Sequence, residues 1–197
     1  VSIFRLYNIN EIKMKKFTTL CSLIALLLWV QNARAQYTYA LLHSFDKSDK
    51  AYPYGSLVNI NGTLYGMTTS GGANSYGTIF SILPGGTGFT NLHSFNGSDG
   101  AYPEGSLINI SDTLYGMTSS NGANGYGNIF SMQSDGTGFT NLHSFNNIDN
   151  DGASPYGSLI NINGTLYGMT VQGGTNSVGN IFSILPDGTA FTILHSF

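Results

Sequence analysis

Short apolar runs separated by turn residues recur along this chain in a fixed order. From Gly55 they read GSLVNI, TLYGMT, GTIFSIL and FTNLHSF. Each is rich in β-branched and aromatic residues and is bounded by Gly, Asn, Pro or Asp, the pattern of short strands. Asn61-Gly62 separates the first two runs and suits a two-residue type I′ hairpin, in which both central residues need positive φ. A loop around Gly71-Gly72 leads to the third run, Gly77–Leu83. Pro84-Gly85-Gly86 then makes a second tight turn into the fourth, Phe89–Phe95. No 3.6-residue apolar period is sustained, and Gly falls in or beside nearly every run, so helices fit badly.

The whole set returns twice. The phrase Leu-His-Ser-Phe stands at Leu42–Phe45, Leu92–Phe95, Leu142–Phe145 and Leu194–Phe197, at spacings of 50, 50 and 52 residues. The first hairpin pair recurs as Ser111-Asp112 and Asn163-Gly164, the second turn as Ser134-Asp135-Gly136 and Pro186-Asp187-Gly188. Ser-Asp is the poorer I′ pair, although Asp tolerates the conformation. Repeats 46–95, 96–145 and 146–197 are therefore expected to be three four-stranded antiparallel sheets, each closed by Leu-His-Ser-Phe. Repeats of this length and strand count predict an all-β chain of β-propeller blades. Apolar residues on both sides of the middle runs (Ile79, Phe80, Ile82, Leu83) fit sheets sandwiched between neighbours. A β-solenoid is the second reading, but its coils are shorter.

The phrases LYGMT, GG, GTIFSI, DGTGFT and LHSF resemble the GloVer-type tandem repeat of secreted bacterial "choice-of-anchor" proteins, over essentially all of Tyr39–Phe197. The layout is also similar to kelch propeller repeats, where a Leu-Tyr strand leads into a Gly-Gly turn. The resemblance implies a secreted, propeller-like repeat protein; it brings no catalytic residues.

The N-terminal 35 residues read differently. From Met14, Lys15 and Lys16 precede an apolar run of eleven, Leu20–Val30, interrupted only by Ser22, and Ala33-Arg34-Ala35 forms a small-x-small site. This is the layout of a secretory signal peptide over 14–35, cut after Ala35, with residues 1–13 a non-native upstream extension. The apolar run is shorter than the roughly 20 residues a bilayer requires. The mature domain, 36–197, is expected outside the cell or on its surface. It keeps two basic residues, Lys47 and Lys50, against nine acids, a balance of −7, and has no cysteine. So few cations exclude nucleic acid as a partner, and thiolate metal sites and disulfides are excluded with the cysteine.

Tyr37–Phe45 reads as a fourth strand with no first three before it. Propellers have at least four blades. The expectation is thus that further blades and an anchoring domain follow Phe197, the last blade lacking the outer strand that Tyr37–Phe45 supplies. A homodimer closing six blades is the weaker alternative.

Candidate chemistry is sparse. Antiparallel order puts both tight turns at one end of each blade and both long loops at the other. The long-loop face carries Tyr52-Pro53-Tyr54, Tyr102-Pro103-Glu104 and Ser154-Pro155-Tyr156, with Tyr76 and Tyr126. Repetition in every unit first predicts that these pack one blade's loop on the next. Tyr52, Tyr54, Tyr102, Glu104 and Tyr156 are also the candidates for a glycan or protein ligand, since tyrosine offers a stacking face with a polar tip. The four histidines occupy equivalent positions in different blades, too far apart for a tetrahedral metal site, and a structural hydrogen-bonding role is expected. In the longer third repeat, Asn147, Asp149, Asp151 and Gly152 are spaced like the start of a calcium loop, but Ser158 stands where the bidentate Glu belongs. A plain polar turn is the first reading there and calcium the second; no other cofactor is implied. Glu104 is the one glutamate of the mature chain and has no identifiable carboxylate partner. A non-catalytic binding or display module is therefore expected. The alternative is a polysaccharide-active lyase or hydrolase whose site needs further blades.

Overall fold

The computed structural model describes residues 39–45, 51–148 and 150–197. Residues 1–13, the leader expected at 14–35, Tyr37, Lys47, Lys50 and Asp149 lie outside them. The chain divides into two compact units, Val1–Ala40 and Leu41–Phe197. Of the first, Tyr39 and Ala40 are described and are not in a strand.

Leu41–Phe197 contains three four-stranded antiparallel meanders in chain order. Blade 1 comprises β1 (Val58–Ile60), β2 (Thr63–Thr68), β3 (Thr78–Ile82) and β4 (Thr90–Ser94). Blade 2 comprises β5 (Ile108–Ile110), β6 (Thr113–Thr118), β7 (Asn128–Gln133) and β8 (Thr140–Ser144). A short strand β9 (Ala153–Pro155) precedes blade 3, which comprises β10 (Ile160–Ile162), β11 (Thr165–Gln172), β12 (Asn180–Ile184) and β13 (Thr192–Ser196). β9 pairs with the extended end of β11, Thr170 opposite Pro155 and Gln172 opposite Ala153. The sequence pattern does not predict it.

All three first hairpins adopt positive φ at both central residues: Asn61 50° and Gly62 86°, Ser111 48° and Asp112 65°, Asn163 51° and Gly164 82°. Ser-Asp thus makes the same turn as Asn-Gly despite its steric cost. The first run is shorter than expected, because Gly55–Leu57 is engaged across blades instead of in the sheet. In the second tight turns, Asp135 accepts hydrogen bonds from the Thr137 amide (2.9 Å) and hydroxyl (2.6 Å), and Asp187 does the same with Thr189. These donors hold both carboxyls below their ordinary range.

The pairing of third and fourth strands slips once in every blade. In blade 1, Ile79 faces His93 but Phe80 faces Asn91, so Leu92 is extra. The same bulge leaves Leu142 and Leu194 extra in blades 2 and 3. A bulge bends its strand and re-aims the side chains, and each one opens a Leu-His-Ser-Phe phrase.

The core lies between blades. Tyr65, Met67, Ile79 and Phe95 of blade 1 pack with Leu107, Leu114, Phe130 and Met132 of blade 2. Tyr115, Met117, Ile129 and Phe145 repeat the arrangement against Leu159, Leu166, Phe182 and Ile184 of blade 3. Burying each such side chain stabilises by about 1.5–3 kcal/mol. Of the apolar residues expected inside, Ile79, Phe80 and Ile82 are buried while Leu83, at the start of a turn, is exposed. Gly116 is required in the middle strand: its cross-strand partner is Phe130, and a Cβ there would stand 2.6 Å from that ring's Cζ.

Candidate functional site

The face expected to carry function is built from the inner edge outward. There the first strands of neighbouring blades meet through their Gly-Ser lead-ins. The Ser56 amide donates to the Ser106 hydroxyl (2.7 Å), and the Ser106 amide to the Ser158 hydroxyl (2.8 Å). Gly55, Gly105 and Gly157 stack so closely that a methyl group on Gly105 would run into the Gly157 carbonyl. Tyr54, Glu104 and Tyr156 immediately precede these glycines, so the backbone presenting them is fixed to its neighbour.

One step further out, the long loops leading into blades 2 and 3 are pinned to the preceding blade. The Tyr102 amide donates to the Tyr76 carbonyl and the Ser154 amide to the Tyr126 carbonyl, both at 2.9 Å. The Thr69 hydroxyl reaches the Pro103 carbonyl at 2.9 Å. Tyr102 and Ser154 take positive φ (56° and 51°), a costly conformation for residues other than glycine. Pro103 and Pro155 are buried, whereas Tyr52 and Tyr54 are 66% and 68% exposed. Tyr102, Tyr126 and Tyr156 are exposed and Glu104 is half-buried. The loops therefore combine both sequence readings: backbone and prolines pack blade on blade, and the tyrosine rings remain at the surface. Among these rings the fold brings Tyr76 and Tyr102 into edge contact, centroids 5.9 Å apart.

The histidines are not brought together. His93 Nε2 lies 3.0 Å from Asp99 Oδ2, and His143 Nε2 lies 2.7 Å from Asp151 Oδ1. Each imidazole stacks on a phenylalanine of the next blade, His93 on Phe139 at 4.1 Å and His143 on Phe191 at 3.8 Å. The following Phe95 and Phe145 meet Phe130 and Phe182 there. Leu-His-Ser-Phe is thus a latch from the outer strand of one blade to the face of the next. Among the described residues no third strand lies beside Leu41–Phe45, and this segment is not in a strand. It nevertheless packs as the latch does, with His43 stacked on Phe89 and Phe45 against Phe80.

Around the insertion of the third repeat, both Asp151 oxygens are engaged, Oδ1 by His143 and Oδ2 by the Asn146 amide at 2.8 Å. Asp99 is held the same way by His93 and the Asn96 amide. The insertion lies before Asp151, and Ile148 there is exposed. Asn147 is exposed with φ 57°, its amide donating to the Gly152 carbonyl. Asp149, the third candidate ligand, lies outside the described residues. Among those described, no three His, Cys, Asp or Glu side chains are grouped as a metal site. Sequence reasoning missed the His–Asp link. The signal was available, since each of the first three Leu-His-Ser-Phe phrases is followed, four or six residues after its Phe, by Asp49, Asp99 or Asp151.

Comparison with known proteins fits this geometry. A family model described as the Gloeobacter/Verrucomicrobia repeat matches residues 30–197. Among solved structures, the chain is similar to "Crystal structure of Nidogen/Laminin Complex", with a TM-score of 0.53 and 19% identity over 74% of this chain and 49% of that chain. A structure of the tricorn protease aligns with a TM-score of 0.47 and 14% identity, over 71% of this chain and 12% of that one. The chain thus spans about half the length of the first and a small part of the second. No curated protein matches the sequence. The first likeness bears on the fold, and it agrees with all-β blades.

Proposed function

The chain belongs to the Gloeobacter/Verrucomicrobia repeat family, and from that premise we propose that it is a secreted or surface-associated module that binds or displays. One observation carries the reading: exposed Tyr54, Tyr102 and Tyr156 stand with Glu104 on backbone pinned blade to blade, and exposed Tyr52 extends the same rim. A rigid scaffold with aromatic, hydrogen-bonding tips suits recognition, because little ordering entropy is lost on binding. The use of a similar fold in a complex of nidogen and laminin supports a protein ligand; tyrosine faces equally suit a sugar ring. The leader at 14–35 supports export, and among the described residues no helix is long and apolar enough to cross a membrane.

The test is binding of residues 36–197 to glycan arrays and extracellular proteins, repeated with Tyr54→Ala and Tyr156→Ala. Saturable binding without turnover, weakened about tenfold by either change, is expected; that loss corresponds to about 1.4 kcal/mol. Binding indifferent to both changes contradicts the rim as the site. New reducing ends or unsaturated products from a polysaccharide establish the lyase or hydrolase alternative instead.

A further inference from the structure

The carboxylates of this protein are not equally provided for. Those of Asp99, Asp135, Asp151 and Asp187 accept hydrogen bonds within their own loops and turns. Asp112 stands exposed in a tight turn. Glu104 differs from both groups. It is half-buried, and among the described residues its carboxylate has neither a hydrogen-bond donor nor an ion-pair partner. Blade 2 has a blade packed on each side, so Glu104 is in this state with both neighbours in place. A charge drawn partly out of water without a partner carries a cost that an incoming cation relieves.

The surroundings define the kind of cation. A Cβ on Gly55 would meet the Gly105 carbonyl, and one on Gly105 the Gly157 carbonyl, so the three backbones run side by side here. The residues just before these glycines are Tyr54, Glu104 and Tyr156. One carboxylate is therefore set in a row between two tyrosines, at a position that is itself tyrosine in blades 1 and 3. An aromatic face attracts a cation lying within about 6 Å of its centre. A guanidinium suits both kinds of neighbour, because it pairs with a carboxylate through two parallel N–H groups and its flat face stacks on rings. Lysine's ammonium is a compact, strongly hydrated point charge and does neither as well. Two basic residues against nine acids over 36–197 add a field that draws a basic partner.

We propose that Glu104 anchors an arginine side chain carried on a partner protein, with Tyr54 and Tyr156 flanking the guanidinium. The inference rests on the rim being a recognition surface and names the chemistry recognised there. A protein-borne arginine is favoured over a free cation because Tyr102 and Tyr126 stay exposed on the long loops of the same blade. They offer contact that a lone guanidinium does not reach.

NMR titration of the full chain tests this with blocked peptides identical except for a central arginine, lysine or citrulline, the last keeping arginine's shape without its charge. The arginine peptide is expected to shift the Glu104 and Gly105 amides and to bind about tenfold more tightly than the citrulline peptide. Glu104→Gln should abolish that preference. So should Glu104→Tyr, which gives blade 2 what blades 1 and 3 carry and keeps the fold. Asp112→Asn removes one charge at the opposite end of blade 2 and should leave the preference intact. Equal binding of the arginine and citrulline peptides overturns the proposal, as does a preference that survives Glu104→Gln or falls equally with Asp112→Asn. A lysine peptide bound as tightly as the arginine peptide overturns the choice of arginine, and free arginine bound as tightly overturns the protein partner. Array ligands that need Tyr54 and Tyr156 but ignore Glu104→Gln would remove the arginine site and leave the rim standing. Ligands indifferent to the tyrosines as well would remove both.

Discussion

Met117 and Met169 sit in the same phrase, TLYGMT, opposite Ile129 and Ile181 in the same register. One is sealed and the other stands half in solvent. Nothing inside either blade accounts for the difference; blade 2 is covered on both faces, and blade 3 on one. Stability in such an array is a sum over blades and the interfaces between neighbours. Equal sequences should therefore respond unequally to the same substitution, according to what lies alongside.

The largest contrast is expected at the phenylalanines. Phe130 is fully buried between blades 1 and 2, whereas Phe197 is half exposed. Phe130→Ala should cost about 3–5 kcal/mol in denaturant unfolding, and Phe197→Ala within about 0.5 kcal/mol. Similar losses would mean that the interfaces do not carry the stability. The methionine pair isolates the neighbour effect at constant sequence. Met117→Ala should lose about 2–5 kcal/mol and Met169→Ala only a few tenths, and comparable midpoints for the two would break the comparison.

Asp151→Ala probes the latch. It removes the acceptor for both His143 and the Asn146 amide at a half-sealed position, and a loss of about 1–3 kcal/mol is expected. Unchanged stability would show that ring stacking alone holds His143.

The smallest effect belongs to the exposed turns at Asp135 and Asp187. Their folded carboxyls titrate below the ordinary value of 3.8. Their contribution is thus complete above the unfolded value and disappears as pH falls through the lower folded one. The double change Asp135→Asn with Asp187→Asn should lower stability slightly at neutral pH and leave it nearly unchanged at low pH, which flattens the acid side of the stability profile. An unaltered acid slope would remove these turns from the account.

Much of this was legible beforehand for physical reasons. Strand runs, I′ hairpins and the blade-sized repeat follow from local chemistry, and the structure has them at the expected places. Tyr102 and Tyr156 keep exposed faces because Pro103, Pro155 and backbone groups make most of the contacts between blades, with the Tyr76–Tyr102 edge contact added. The bulge before each histidine was hidden, since an extra residue in every copy leaves the repeat period intact. β9 was hidden too: its Ala153–Pro155 carries no strand pattern and forms because β11 runs on past Thr170. The role of Gly55, Gly105 and Gly157 needed coordinates, because a contact between successive repeats leaves no periodicity within one.

Residue-level hydrogen exchange on Leu41–Phe197 in its native state tests the central claim most directly, since exchange reads local opening free energies. The β6 and β7 amides of blade 2, buried between two neighbours, should exchange most slowly. Those of β11 and β12 in blade 3 should exchange markedly faster despite nearly the same sequence. Equal protection in the two blades, or slower exchange in blade 3, would contradict stability carried by the interfaces.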